Sequence, residues 1–420
     1  MSFHVNGDLT TGWTTQECRK DCGLCLKVCP FADGVLDPRP LNRQIYAFAS
    51  SPQGFHEEVG FYDNAFAGFS PVNRPLSASG GLLTWTIEEL FRTCEIDRAG
   101  VIMCEADEAK GYSFVFFEAK NAEEIRASSG SVYHQVEISS LLRHIRQHSG
   151  LRWAITGVPC LCSAVRRAMK QSDDLANSVR FILGLACGMY QNRFYTEMLL
   201  TASGLQPMQV RDVKYRLKAQ SIGANNFRFQ GITTDKSGKA IDYLGLPQHL
   251  GHHAYFRCNA CNYCKDVFAE QADACYMDAW LPSYQKDLAG TSLVLTRNPA
   301  LSRRLENAAK EGRIDLKSID IADIVASQKG HVLRKRHLIA MRLGEKRDAS
   351  GRSFPWEVRS TWAIQRYVQK RSKAAWAALA RHSTIGKFIW TTLDLSILCG
   401  IERFLSKTVW RATRFVRRHT

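Results

Sequence analysis

The chain has 420 residues with a formal net charge of +16, 45% hydrophobic and 10% aromatic residues. That composition excludes a disordered chain and allows two or three domains with a sizeable core. No run of eighteen apolar residues argues for a membrane span, and the start "MSFHVNGDLTTGW" lacks the basic and apolar regions of an export signal, so a cytoplasmic protein is expected.

The positive charge is confined. Residues 331–420 hold 20 Lys and Arg against 5 Asp and Glu, whereas the first 330 residues are close to neutral. Fourteen cysteines in a cytoplasmic chain point to metal or cluster ligation rather than to disulfides.

In chain order, residues 1–50 have little hydrophobic periodicity and are dominated by Cys18-x3-Cys22-x2-Cys25-x3-Cys29-Pro30. This is one residue from the C-x2-C-x2-C-x3-C-P run that wraps iron-sulfur clusters. Four cysteines also make a tetrahedral zinc site, but zinc sites usually come as two separated pairs. A 4Fe-4S cluster is the expectation.

Residues 51–150 read as a mixed α/β unit. "SASGG" is a turn, and "GLLTWTIEELFRTCEI" follows it with helical spacing. Ser79, Gly80 and Gly81 there would offer backbone N–H groups to an anion at a helix N-terminus, and an ordinary capped turn explains them equally well. "AGVIMCEA" and "SFVFFEAK" read as strands, and "ISSLLRHIRQHSG" as an amphipathic helix. Residues 151–330 form the second unit: "RWAITGVP", "CSAVRRAMK" and "SVRFILGLACG" alternate strand, helix and strand, which implies parallel pairing through a crossover.

A second thiol group, Cys258, Cys261 and Cys264 in "RCNACNYCKD", has x2 spacing and lacks a fourth ligand. Cys160 and Cys187 each follow a buried strand, where the loops of a parallel sheet converge, and are the candidates to complete a second cluster. The alternative is that both are simply buried thiols. Cys94, Cys104 and Cys399 stand alone among apolar neighbours and are expected to be buried and inert. Clusters pass single electrons and hydride chemistry needs two, so a flavin is the expected converter.

These residues resemble a known family. "RPLSASGGLLTWTIEELF" (74–91), "SSGSVYHQV" (128–136), "GVPCLCSAVRR" (157–167), "LGLACG" (183–188), "VKYRLK" (213–218) and "CNYCKDVFAEQADACYMDAW" (261–280), together with the first cysteine run, occur in the order seen in coenzyme F420 hydrogenase/dehydrogenase beta subunits. That family includes 7-hydroxymethyl chlorophyll a reductase and ferredoxin-dependent divinyl chlorophyllide reductases. The resemblance implies an iron-sulfur flavoprotein of mixed α/β fold. FAD would be held at Ser79, Gly80, Gly81 and Thr84, with Ser131, Arg216 and Lys218 also at the cofactor and the ring toward Cys160 and Arg216. Electrons would come from ferredoxin or a deazaflavin and leave as hydride to a small organic substrate, or run in reverse. The alternative is a non-catalytic electron-transfer subunit of a larger complex, in some bacteria tied to polysaccharide biosynthesis.

Three positions depart from the family pattern: the x3 first gap, Val132 in place of a common Lys, and Met277 in place of a Gly, which predicts a local rearrangement near Asp278. Cys261, Cys264 and Asp266 fit the family's C-x2-C-x-D pattern, which leaves Cys258 as an extra thiol.

From 331 onward the tail interleaves Arg and Lys with Trp376, Phe388, Trp390, Phe404, Trp410 and Phe415. Such a tail suits packing on the body with a solvated basic face, docking on an anionic membrane surface, or an acidic protein such as ferredoxin. No motif that reads nucleic acid accompanies the charge.

Overall fold

The computed structural model describes residues 2–3, 7–10, 22–32, 37–47, 54–218, 227–242, 255–339, 370 and 373. Cys18, Cys399 and nearly all of the basic tail lie outside the described residues.

An eight-stranded sheet organises the chain. Its strands are β1 (Asn64–Phe69), β2 (Arg98–Asp107), β3 (Gly111–Ala119), β4 (Trp153–Gly157), β5 (Val179–Leu185), β9 (Ala274–Asp278), β10 (Ser292–Thr296) and β11 (Asp315–Ser318). Their spatial order is β11-β1-β10-β9-β5-β4-β2-β3. The four inner strands β2, β4, β5 and β9 run parallel. The outer pairings, β9 with β10, β10 with β1, β1 with β11 and β2 with β3, are antiparallel.

A sheet with parallel strands at its centre must be covered on both faces, which is why its strands read as continuous apolar runs. All five residues of β4 and of β10 are buried. Alternate residues serve opposite cores: Ile155, Ile182, Cys275 and Leu293 on one face, Ala154, Phe181, Leu183 and Val294 on the other. The first face is covered by α4 (Ser139–Gln147) and α5 (Pro159–Met169) through Leu141, Ile145, Cys162 and Val165. The second is covered by α3 (Leu82–Arg92) and α7 (Pro299–Lys310) through Leu82, Ile87, Leu90, Leu301 and Leu305. Pro159 and Pro299 each begin their helix, where a missing N–H has no intrahelical partner to lose.

A smaller antiparallel sheet, β6 (Val210–Lys218), β7 (Phe227–Thr233) and β8 (Gly238–Asp242), packs beside β2 and β3. Its core is aromatic and includes Tyr112, Phe114, Tyr195, Tyr215 and Phe229, with α6 (Arg193–Ala202) contributing Phe194 and Tyr195. Two short helices, α1 (Leu24–Val28) and α2 (Arg39–Tyr46), precede the main sheet in the chain. Among the described residues no helix is long and apolar enough to cross a membrane.

The expected α/β class, and the strand, helix, strand rhythm of residues 151–188, are what the structure shows. The expected boundary at 150 falls between α4 and β4 inside the main sheet, and strands from both sides of it hydrogen-bond there. Two expectations are corrected. Met277 brings no rearrangement: β9 pairs with β10 in unbroken register through Met277↔Leu293 and Asp278↔Ser292, and the Met277 side chain fills the core. Cys94 is exposed, because α3 ends just before it and its φ of 53° turns the chain outward. Cys104 is half-buried, and burial pushes its thiol up to about 12.

Arg297 ties the loop after the second thiol group to the sheet. It is 1% exposed and donates to the carbonyls of Ala269 (3.1 Å), Ala272 (3.3 Å), Val59 (3.0 Å) and Phe268 (3.1 Å). Arg297→Met strands the buried carbonyls of Ala272, Val59 and Phe268, each costing about 1–3 kcal/mol, whereas Ala269 O keeps the Ala272 N–H at 2.8 Å. Urea unfolding is expected to show a loss of at least about 3 kcal/mol on that basis; a variant as stable as the parent would show that water replaces the guanidinium.

Candidate functional site

Parallel strands that lie side by side end on one edge, and loops leaving that edge meet. β4 ends at Gly157 and enters α5, whose second residue is Cys160. β5 ends at Leu185, two residues before Cys187. The loop 255–267 is laid against this edge by backbone bonds from Cys258 N to Tyr190 O (3.1 Å) and from Cys187 N to Val267 O (3.0 Å).

Cys160, Cys187, Cys261 and Cys264 thereby come within electrostatic reach of one another. Burial first, then the thiols of Cys264, Cys261 and Cys187, push the Cys160 thiol well above its ordinary value. Burial likewise raises Cys187, to about 12, and Cys264. Cys261 goes the other way, because the Cys258 thiol donates a hydrogen bond to it and the Tyr190 N–H adds another at 3.2 Å. Cys258 itself is buried, bonds Cys261 and also feels the charges of Asp8 and Lys373. Lys373 donates to Asp8 at 3.1 Å.

Four thiols that disfavour one another's ionised form are a donor set that a positively charged metal core would satisfy. Among the described residues no group of three or more His, Cys, Asp or Glu side chains is placed to hold a single metal ion. A buried cation stands beside the thiols: Lys335 is 2% exposed and donates to Cys187 O at 3.0 Å and to Asp266 O. Burial pulls its ammonium down, but Cys264, Cys187, Asp266 and Cys261 outweigh that and hold it protonated.

Of the first thiol group, Cys22 and Cys25 are exposed and Cys29 is half-buried. Phe31 N–H points at Cys29 Sγ, 3.4 Å away. α1, which carries Cys25, packs on α5, which carries Cys160, and Cys29 lies near Arg167 toward the C-terminal end of α5.

The residues expected at a flavin also meet. Ser79 Oγ donates to Thr291 O at 2.7 Å, and Gly80 sits where a Cβ would stand 2.6 Å from both Gly68 O and Ser292 N. Gly81 caps α3 with φ 78° and without a side-chain cap, and no acidic residue occupies the first turn. This helix N-terminus is therefore free of built-in negative charge. Lys218 reaches it, donating to Ser79 O (2.9 Å), Ala289 O (2.5 Å) and Arg74 O. Burial, then the charges of Arg74 and Arg216, lower its ammonium to about 8. Thr84 Oγ1, in the first turn of α3, and Ser129 Oγ share a hydrogen bond of 3.1 Å.

A register shift in β6 between Lys214 and Leu217 re-aims its side chains. Tyr215 turns into the aromatic core and bonds Thr196, whereas Arg216 turns toward β9. Arg216 donates to Asp278 (2.8 Å) and Ser131 (3.5 Å), and its guanidinium lies 3.9 Å above the Phe227 ring and 5.8 Å from Trp280. Val132, where the family pattern has Lys, packs into the aromatic cluster. Sequence reasoning missed Asp278 as the partner of Arg216 and missed Lys335 altogether. A lysine in a basic run carries no local signal that it is buried. A cavity of about 650 Å3 lined by Leu281, Tyr284, Lys317 and Asp320 includes none of the residues above.

A sheet parallel at its centre, covered by helices on both faces and with loops that meet at one edge, defines a mixed α/β protein. Residues 65–143 match the family model for the N-terminal part of the coenzyme F420 hydrogenase/dehydrogenase beta subunit, and residues 150–322 match the model for the C terminus of the same protein. The chain belongs to the coenzyme F420 hydrogenase/dehydrogenase beta-subunit family, a family of oxidoreductase subunits. Its fold is similar to a chain in the structure described as "Xenon derivatization of the F420-reducing [NiFe] hydrogenase complex from Methanosarcina barkeri". The two share 18% identity with a TM-score of 0.52, over 68% of this chain and 93% of that one. No curated protein matches the chain.

Proposed function

We propose that the protein is an iron-sulfur flavoenzyme that moves electrons between a ferredoxin or deazaflavin carrier and a small organic substrate. The observation that carries this reading is the convergence of Cys160, Cys187, Cys261 and Cys264 at one sheet edge. The adjacent strand β9 presents the Asp278–Arg216 pair at the same end. Bound there, a 4Fe-4S cluster supplies one-electron steps and FAD converts them to two-electron chemistry.

The chain's own residues bind and orient. Cys160, Cys187, Cys261 and Cys264 are the thiolate donors of one site, with Cys258 bonded to Cys261. Cys18, Cys22, Cys25 and Cys29 are the donors of a second site at the surface. Ser79, Gly80, Gly81, Thr84 and Lys218 receive the flavin phosphates on the α3 N-terminus. Ser131 and Arg216 face the ring, Asp278 fixes the Arg216 guanidinium, and Phe227 and Trp280 exclude water beside it. This reading puts the protein in the cytoplasm, with the basic tail as the element that would meet a membrane surface or an acidic carrier.

The fold relative belongs to a hydrogenase complex. α1 exposes Leu24 and Leu26 at 46% and 64%, beside Cys22 and Cys25, which favours a second reading as an electron-transfer subunit that docks a partner there. Steady-state turnover by the isolated chain distinguishes the two: flavin reduction without substrate turnover supports the electron-transfer reading.

Anaerobically purified protein is expected to be brown and to contain iron, acid-labile sulfide and FAD; a colourless protein overturns both readings. Single Ser variants of Cys160, Cys187, Cys261 and Cys264 are each expected to lose one cluster's iron, and Cys258→Ser to retain it. Retention in any of the four removes that residue from the donor set.

The Lys218 ammonium keeps its proton below about 8 and loses it above. FAD affinity, read by fluorescence titration, is therefore expected to be full at neutral pH and to fall as pH rises through that value. Lys218→Met should flatten the profile and weaken binding about tenfold, the worth of one positive charge acting at short range, because the three N–H groups of Lys218 already bond the carbonyls of Arg74, Ser79 and Ala289. A flat wild-type profile would remove Lys218 from the phosphate site.

A further inference from the structure

The segment that begins the basic tail does not leave the body at 331. Residues Leu333–His337 form one π-helical turn, and that turn is pinned from three sides. Arg336 donates to Glu270, which is fully buried, and to the Glu58 carbonyl at 3.3 Å. His337 meets the Glu58 carboxylate at 3.1 Å. The His331 ring lies against Gly188, so closely that a Cβ there would stand 2.3 Å from ring atoms. Gly188 follows Cys187, so the residue beside one thiol must stay small for the turn to seat.

What this anchoring achieves is the insertion of Lys335. Its ammonium bonds Cys187 O and Asp266 O and touches the Cys264 thiol, joining two separate thiol-bearing segments from beneath. Removing an ammonium from water costs several kcal/mol, and such a group is kept where opposite charge awaits it. Single π-turns within helical segments also concentrate at functional sites.

We propose that Lys335 is the fixed counter-charge of the Cys160, Cys187, Cys261 and Cys264 site and sets the reduction potential of the cluster held there. The inference rests on the cluster reading above. Reduction adds one electron from a carrier, makes or breaks no bond and moves no proton on Lys335. It makes the cluster and its four thiolates one unit more negative. A cation in contact with the thiolates therefore favours the reduced form and raises the potential. Lys335 acts through the ligands, so it is a positioning and tuning residue.

The test is an anaerobic dithionite titration of the full-length holoprotein, followed by the visible spectrum and electron paramagnetic resonance. Lys335→Met is expected to lower the midpoint enough to cut the reduced-to-oxidised ratio at least about tenfold at the wild-type midpoint, 59 mV for a one-electron couple. Lys335→Arg, which keeps the charge, is expected to stay near wild type. Lys335→Met with full iron and sulfide and an unchanged midpoint overturns the inference and leaves the cluster reading standing. Wild-type protein without iron or sulfide overturns the cluster reading first. If Lys335→Met does not retain iron, Lys335→Arg decides: a loaded variant with the wild-type midpoint supports the role of charge, and a loss of iron there too overturns it.

Discussion

The parallel pairing of Trp153–Gly157, Val179–Leu185 and Ala274–Asp278 is the constraint from which the rest follows. Strands that run the same way must finish on the same edge, so segments far apart in the chain have nowhere else to deliver what comes after them. Cys160, Cys187 and Asp278 follow or close these strands and reach that edge for one geometric reason. Asp273 helps hold the arrangement from below: one carboxylate oxygen accepts from Ile182 N at 2.8 Å and from Arg166 at 2.8 Å. It thereby joins the start of β9 to both β5 and the helix that carries Cys160.

Two thiol groups and one cationic helix N-terminus are then connected by packing rather than by sequence. α1 rests on α5, and α5 starts beside the inner thiols. Arg216 and Lys218 come from the small sheet and reach across to Asp278 and Ser79. The aromatic core beneath β6, with Tyr195 and Tyr215 stacked 6.3 Å apart, is what holds that reach steady.

Much of this was legible in the sequence, because short-range patterns carry it. The run from Trp153 to Gly188 shows two apolar strands around a helix, and Cys160 and Cys187 stand where such strands must end. The x2 spacing of Cys258, Cys261 and Cys264 marked a donor group but could not rank its members; only the turn of the loop bonds Cys258 to Cys261. The glycines at 80 and 81 read as an exposed anion turn, and their tightest contacts are with neighbouring backbone. Arg297, Arg336 and Lys335 were illegible for a shared reason. Each is a buried cation satisfied by carbonyls or carboxylates distant in sequence, and nothing local separates it from a solvated one. Cys94 misled for the converse reason: its apolar neighbours belong to a helix that stops just before it.

The pairing of β1 with β10 carries a consequence for how the chain is made. Asn64 N bonds Thr296 Oγ1 across 232 positions of sequence, and β1 also waits for β11. Contacts of such separation form late and leave earlier strands unpaired meanwhile. During synthesis Cys160 and Cys187 emerge well before Cys261 and Cys264, and Lys335 emerges after them all. The inner thiol site therefore cannot close until the last of these segments has been made.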